Sequence, residues 1–503
     1  MPALWDLQEL LMLKETLSLF LLISPVASSS QTIIVDWATP KQTIDGFGAS
    51  SVIDGPMSSA KADFFWSQSK GIGLSIIRTQ MVPNLPDCRT YHPDCISVSS
   101  GATALVNELA EVQQAVARGV PTVASSNWSV PASMKSNGLF QTGGSFLGNP
   151  TNYSALAAVF VSYLNFMKNH GVTVDVVGVQ NEPDSSTDYP STLWTSQQFH
   201  DFIPYLHSAL VAAGYGSVKI LFPEPTRWSN NYGGFAVTTM TDASVAPLVG
   251  VLGMHAYGGG SAVPLTDYGY GQHVWQTEVS GFNKYDGSWA DAQKWASEIH
   301  DFLTISNVNA WIYFQTQEQA PQYLGDNEGL TDANGNIAKR AYAIGNWSKF
   351  VRPGWLRVGV TNSTGLRVTA FENGSETMGA VVALNISRNP VSNQSFAVGT
   401  MLGSRVTPWI TSASNNLQPL SPVTVIKGSF TYTIPANSVI TFFSTESGNA
   451  IFDTVAGSYS AAQAVTINQP SRALDWVIVF AMLVTIGVAA SLIVAFVLFR
   501  RNS

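Results

Sequence analysis

The sequence predicts an α/β protein: a (β/α)8 TIM barrel with an attached side β-sandwich domain, plus one C-terminal transmembrane helix. Three observations predict it. Between residues 43 and 353, short β-rich apolar runs alternate with longer helical patterns. From 354 to 445 the helical patterns stop, and alternating segments such as LRVGV, GLRVTAF and VITFF take over. From Trp476 to Phe499 no charged residue occurs. Strands alternating with helices imply a parallel sheet, and eight such units imply a closed barrel. The competing doubly wound sheet would want a G-x-G-x-x-G turn or a P-loop, and the sequence has neither.

Taken in order, residues 1–30 read as a signal peptide. The apolar run LSLFLLISPVA at 17–27 is followed by small residues, and Met12 makes a better start for it than Met1. Residues 31–42 hold an N-terminal strand (TIIVDW, Thr32–Trp37) that suits the side β-domain. The barrel occupies 43–353, with strands expected at Ile44–Gly48, Gly73–Thr79, Thr122–Ser126, Val174–Gln180, Val218–Phe222, Val251–His255, Val274–Gln276 and Ala310–Phe314. Helices are expected at Asn152–His170, Ser196–Ala213, Ser288–Leu303 and Ala338–Phe350. In the first of these Leu156, Phe160, Tyr163, Leu164 and Met167 recur at helical spacing. The side β-sandwich domain covers 354–445 and a flexible stalk 446–475. The apolar run 476–499 would span about 36 Å as a helix, enough for a bilayer core. Residues 500–503 form a tail in which Arg500 and Arg501 mark the cytoplasmic side. The expected location is therefore export followed by membrane anchoring through a single span, with the barrel outside.

Composition narrows the function classes. Hydrophobic residues make up 45% of the 503, and the net charge is −8. Intrinsic disorder is excluded by that hydrophobicity, and no broad basic face for nucleic acid is available. Charged residues are only 12%, against roughly 25% in ordinary soluble domains, which suits a protein that handles uncharged polymers. Two cysteines, Cys88 and Cys95, read as a disulfide stapling one loop. The seven histidines show no H-E-x-x-H or similar spacing, so no metal and no other cofactor is expected. No G-x-S-x-G elbow is present. Asn-x-Ser/Thr sequons occur at Asn127, Asn152, Asn346, Asn362, Asn373, Asn385 and Asn393.

Chemistry is expected where strands end. The run VVGVQNEP carries Gln180, Asn181 and Glu182 at the end of the fourth barrel strand, and VWQTEV places Glu278 at the end of the seventh. Two carboxylates facing each other across a barrel mouth are what glycoside hydrolysis needs: one acid for the leaving oxygen, and one nucleophile or base. Glu224, in LFPEPT, is a rival at the end of the fifth strand, and reads better as a hydrogen-bond acceptor behind the pair. Arg78 follows the second strand and could hold a carboxylate ionised. Trp128, His255, Tyr257, Trp311 and Tyr313 fall at or near strand ends and together suggest stacking platforms for sugar rings.

The segments QTIDGFGASS, GIGLSIIRTQM, ASSNWSVPASMKSNG, GVQNEPD, MHAYGG, VWQTEVSGF and IPANSVITFF, in this order along 31–445, resemble glycoside hydrolase family 30, a retaining family of clan A. The resemblance implies a barrel fused to a β-domain built from both chain ends. It makes Glu182 the acid/base and Glu278 the nucleophile. It gives Asn181 to a sugar 2-hydroxyl, uses Arg78, His255 and Tyr257 to orient the pair, and lines the cleft with Trp128 and Trp311. Such enzymes act on glucosylceramide, β-1,6-glucan, β-1,6-galactan, xylan or glucuronoxylan. Glucuronoxylan-specific members place an arginine after the eighth strand, where this chain reads QTQEQAPQYLGDNEGL, without one. The expected partner is thus a polysaccharide or oligosaccharide. A glycolipid hydrolase and a non-catalytic carbohydrate-binding surface protein are the other readings.

Overall fold

The computed structural model describes residues 31–52, 56–81, 103–258, 261–282, 284–318, 326–361, 365–375 and 378–444. The signal peptide, Cys88 and Cys95, the stalk, the 476–499 span and the tail lie outside the described residues. Among the described residues no helix is long and apolar enough to cross a membrane.

Eight strands form a closed barrel: β2 (Gly46–Ser50), β3 (Ile76–Met81), β4 (Thr122–Asn127), β5 (Val176–Gly178), β6 (Lys219–Pro223), β7 (Val251–His255), β8 (His273–Glu278) and β9 (Ala310–Tyr313). Neighbours are parallel throughout, and β2 pairs with β9 to close the ring. Inward-facing Ile76, Ala124, Val176, Leu221, Val251, Trp275, Ala310 and Ile312 fill the interior, so the barrel is a packed core and not a pore. Outside it lie helices α1 (Ser59–Trp66), α2 (Thr103–Val116), α3 (Pro150–Asn169), α4 (Ser196–Ala212), α5 (Ala236–Met240), α6 (Trp289–Asp301) and α7 (Lys339–Ser348).

Local chemistry explains the longer helices. α3 starts at Pro150 because the Asn149 side chain accepts from the backbone N–H groups of Thr151 and Asn152, and a proline at the first position loses no hydrogen bond. Its buried stripe contains the five residues of the sequence pattern, Leu156, Phe160, Tyr163, Leu164 and Met167. α4 starts in a reciprocal capping box between Thr195 and Gln198.

The second layer is a β-sandwich. β1 (Ile33–Thr43) pairs antiparallel with β10 (Leu356–Val360) and, through Ile33 and Ile34, parallel with β13 (Val391–Ala397). It therefore links one sheet, completed by β11 (Arg367–Glu372), β12 (Gly379–Asn385), β14 (Arg405–Ser412) and β18 (Ser438–Ser444), to the β13–β17 pair, where β17 is Ser429–Ile434. Short strands β15 (Gln418–Pro419) and β16 (Val423–Thr424) flank β14. Phe396 and Phe430 on one side pack on Phe442 of the other at ring separations of 5.2 and 4.9 Å. The sandwich grips the barrel through α7: Asn346 donates to Thr411 Oγ1 at 2.6 Å and its carbonyl accepts from Thr441 at 2.6 Å. Three sequon asparagines, Asn127, Asn346 and Asn385, are buried, which keeps them from glycan attachment in the folded protein.

One expectation from the sequence is corrected in the helical layer. Trp311 is 0% exposed. Its neighbours Ala310 and Ile312 face the barrel interior, so strand alternation turns Trp311 outward, towards Glu298 on α6. It does not line the cleft. Tyr313, on the same outward face, packs edge-on against Trp295 of α6 at 5.2 Å. Burial pushes the Glu298 carboxyl up to about 8. A folded-state value above the unfolded one means that the folded protein binds the extra proton, so stability falls as pH rises from the ordinary carboxylate range through about 8. Glu298→Gln removes that dependence. The melting temperature of the variant relative to the parent is expected to be higher at pH 8 than at pH 5, and a gap independent of pH would refute it.

Candidate active site

The C-terminal ends of the barrel strands bring Arg78, Asn181, Glu182, Glu224, His255, Tyr257 and Glu278 together. Each carboxylate arrives by a different local device. Glu182 follows β5 with φ +48, and Glu224 follows β6 with φ +55. Both are left-handed conformations that a glutamate adopts only when its surroundings impose them. Here the surroundings are the Glu182 N–H donating to the Glu224 carbonyl at 3.0 Å and the Glu224 N–H donating to the Gly253 carbonyl at 2.9 Å. Glu278 depends on a register shift. Gly253 pairs with Trp275 and Met254 with Gln276, but His255 pairs with Glu278, leaving Thr277 as the extra residue. This bulge returns Glu278 to the inward face that Trp275 occupies. Gly178 is required beneath the site. A Cβ there would sit 2.3 Å from Ser126 Oγ and 2.4 Å from Glu224 Oε2, two atoms that bond each other at 2.7 Å.

Arg78 is the electrostatic centre and is 0% exposed. It donates to Glu278 Oε2 at 2.6 Å, to Asn181 Oδ1 at 2.6 Å and to Glu224 Oε1 at 3.2 Å. Glu278 Oε1 also accepts from the Tyr257 hydroxyl at 3.0 Å. Glu182 is held from two sides, by the Tyr189 hydroxyl on Oε2 at 2.9 Å and by His255 Nδ1 on Oε1 at 3.1 Å. Glu224 serves as the acceptor behind the pair, on Arg78 and Ser126. A ligating atom each of Glu182, His255 and Glu278 lies within 4.8 Å of the others, a spacing open to a metal ion. Arg78 supplies a fixed cation to Glu278 at the same place.

Burial works against every charge in this group, and the neighbours decide the balance. For Glu182 burial is outweighed by His255, Tyr189 and Arg78, which hold its carboxyl below the usual range. Burial pushes Glu278 up, opposed by His255 and Arg78 and reinforced by the charge of Glu182. His255 loses hydration, but the two carboxylates raise it above an ordinary imidazole. The 3.1 Å contact between His255 Nδ1 and Glu182 Oε1 is a path along which one proton can pass between imidazole and carboxylate.

The mouth is aromatic. Trp128 packs with Val52 and Phe314 and against the partly buried Tyr189, whose ring lies 5.5 Å from the Trp128 ring. Phe282 is 54% exposed, and its ring lies tilted against Tyr257 at 5.2 Å. Tyr189, Phe282 and Phe314 were not legible as site residues. Phe314 shares the strand parity of Ala310 and Ile312, a signal that would have selected it over Trp311. Tyr189 sits in a loop with no periodic pattern.

Comparison with known proteins finds glycoside hydrolases. The family model described as glycosyl hydrolase family 59 matches residues 122–335. The chain is 28% identical over 430 residues to a glucuronoxylanase of Bacillus subtilis strain 168, covering 82% of this chain and 92% of the relative. The crystal structure of a glycoside hydrolase family 30 subfamily 8 xylanase from Clostridium acetobutylicum matches with a TM-score of 0.69 and 30% identity, over 82% of this chain and 99% of that one. A shorter stretch of 106 residues is 36% identical to an endo-1,6-β-D-glucanase of Trichoderma harzianum, covering 19% of this chain and 21% of the relative. The protein is an O-glycosyl hydrolase. Within that class the chain belongs to the family 30-like glycoside hydrolases.

Proposed function

We propose that this enzyme is a retaining β-glycosidase of clan A that cleaves a neutral β-linked polysaccharide of the xylan or β-1,6-glucan or galactan type. The observation that carries the reading is the approach of Glu182 and Glu278, an oxygen of each lying within 4.8 Å of the other. Retaining enzymes hold the pair about 5–5.5 Å apart, whereas inverting ones need roughly 6.5–9.5 Å to admit a water. Glu278 attacks the anomeric carbon and forms a glycosyl ester as the bond to the leaving oxygen breaks. Glu182 gives that oxygen a proton, supplied across its 3.1 Å contact with the His255 imidazolium, which is left neutral. Water then attacks the ester, Glu182 takes its proton, and Glu278 leaves as a carboxylate. Arg78 and Tyr257 donate to the ionised form of Glu278 throughout. Asn181, fixed by Arg78, faces the sugar 2-hydroxyl, and Trp128 with Phe282 offers the ring platforms.

Charge supports a neutral glycan. Glu328 lies in the negative field of Asp326, Glu278 and Glu318, which together with burial pushes its carboxyl up to about 7, and a uronate carboxylate entering that field meets the same repulsion. Reducing-sugar release is expected from xylan or a β-1,6-glycan, with no preference for glucuronoxylan over unsubstituted xylan. NMR of the first-formed product is expected to show the β-anomer. A first-formed α-anomer would overturn retention, and a strong glucuronoxylan preference would overturn the neutral-glycan reading. Export and tethering through residues 476–499 belong to the same proposal. Activity that stays with membranes after a high-pH carbonate wash supports the tether, and release of the intact chain into the wash refutes it.

A further inference from the structure

One buried cation takes no part in this mechanism. Lys135 is 3% exposed. Its Nζ donates to the Ser191 carbonyl at 2.6 Å, the Phe140 carbonyl at 2.9 Å, Ser129 Oγ at 3.1 Å and the Gln141 carbonyl at 3.5 Å. No carboxylate is among these acceptors, and burial alone pushes the ammonium down to about 8. An interior ammonium without an anion is costly unless its donors are used. Here they are used to draw two separate loops onto one point.

Those loops carry the groups around Glu182. Ser129 directly follows Trp128, and Ser191 lies two residues after Tyr189. The loops meet at further points: the Gly143 N–H on Ser191 Oγ at 2.9 Å, the Val130 N–H on Thr192 Oγ1 at 3.1 Å, and the Leu193 N–H on the Gly144 carbonyl at 2.9 Å. Their product is the Trp128–Tyr189 contact and the Tyr189 hydroxyl on Glu182 Oε2 at 2.9 Å. We propose that Lys135 is a positioning residue for the proton-transfer step, holding Tyr189 against Glu182 by clamping the 187–193 loop to the loop that follows Trp128. The proposal rests on the reading of Glu182 as the acid/base.

Leaving-group dependence tests it, because a dinitrophenolate departs without a proton and a phenolate needs one. kcat/KM, which reports the glycosylation step alone, is measured on phenyl and 2,4-dinitrophenyl glycosides of the glycone released in the polysaccharide assay. Lys135→Met is expected to lower the phenyl value by about tenfold or more, a share of the roughly 10²–10⁴ that a general acid contributes, and to leave the dinitrophenyl value within about twofold. Tyr189→Phe is expected to do the same, and the double variant to be no worse than the poorer single one. Equal losses on both substrates, or additive losses in the double variant, overturn the proposal and make Lys135 a scaffold residue. Lys135→Gln, which retains a donor for Ser191, serves if the methionine variant does not fold, and failure of both to fold likewise overturns it. Glu182→Ala is the control. If it too loses both substrates equally, the acid/base assignment is what has failed.

Discussion

Glu278→Gln is expected to lower kcat by roughly 10⁴–10⁶-fold, the scale seen when an enzymatic nucleophile is removed, while the barrel stays folded. The amide keeps the shape of the carboxylate: its oxygen accepts from Arg78 in place of Oε2, and its NH2 takes the place of Oε1 and donates to the Tyr257 hydroxyl, which turns to accept, so the heavy atoms keep their places. What disappears is the nucleophilic oxygen anion. Loss of the negative charge also leaves Arg78 with Glu224 as its remaining anionic partner, so a modest change in melting temperature accompanies the loss of turnover. The measurement is kcat on the identified polysaccharide beside a thermal melt. A folded variant with near-normal turnover would remove Glu278 from the nucleophile role. A mechanism-based fluorosugar that labels Glu278 in the parent and no residue in the variant would exclude a carbohydrate-binding protein without catalysis.

Arg78→Met is expected to damage both stability and activity. The guanidinium is completely buried between Glu278 and Glu224, at 2.6 and 3.2 Å, and also holds Asn181. Burial opposes its charge, but the two carboxylates outweigh that and raise it above an ordinary arginine. Removing one partner of a buried ion pair costs about 3–5 kcal/mol, because the other charge is left uncompensated. The pH dependence follows from Glu278. Without Arg78 burial pushes its carboxyl further up, so the folded variant binds a proton that the unfolded chain releases, and stability recovers as pH falls. The stability gap between variant and parent, read from denaturant midpoints, should therefore narrow between about pH 7 and pH 5. A gap that stays constant would mean that the loss comes from packing volume and not from the stranded charge. Turnover of the variant should fall with Glu278→Gln as its lower bound, since the nucleophile remains but its orientation does not.

Much of this protein was legible locally. Apolar runs of four to six residues followed by amphipathic helices specify βα units wherever they occur, and the expected strand Val251–His255 coincides with the observed one. Strand ends of such barrels converge on one mouth, so it could be expected from position alone that the carboxylates in QNEP and QTEV meet there. Glu224 was legible as an acceptor for the same reason. Strand boundaries shifted by a few residues, as for Val174–Gln180 against Val176–Gly178, because the backbone leaves the ladder before Glu182 to reach φ +48.

What the tertiary structure alone decided is which way side chains point and which distant loops meet. Trp311 carries the residue type of a sugar platform, yet the parity of Ala310 and Ile312 inside the barrel sends it into the helical layer and brings Phe314 to the mouth. In β8 parity itself is broken, since the bulge at Thr277 turns Glu278 inward where strict alternation from Trp275 would have turned it away. Tyr189, Phe282 and Lys135 gain their roles only when loops far apart in the chain close on one another. The division has one physical cause. Hydrophobic periodicity and turn chemistry act over a few residues and are written in the sequence in order, while register, bulges and loop contacts are set by the closure of eight strands into a ring, where each strand's phase depends on both neighbours.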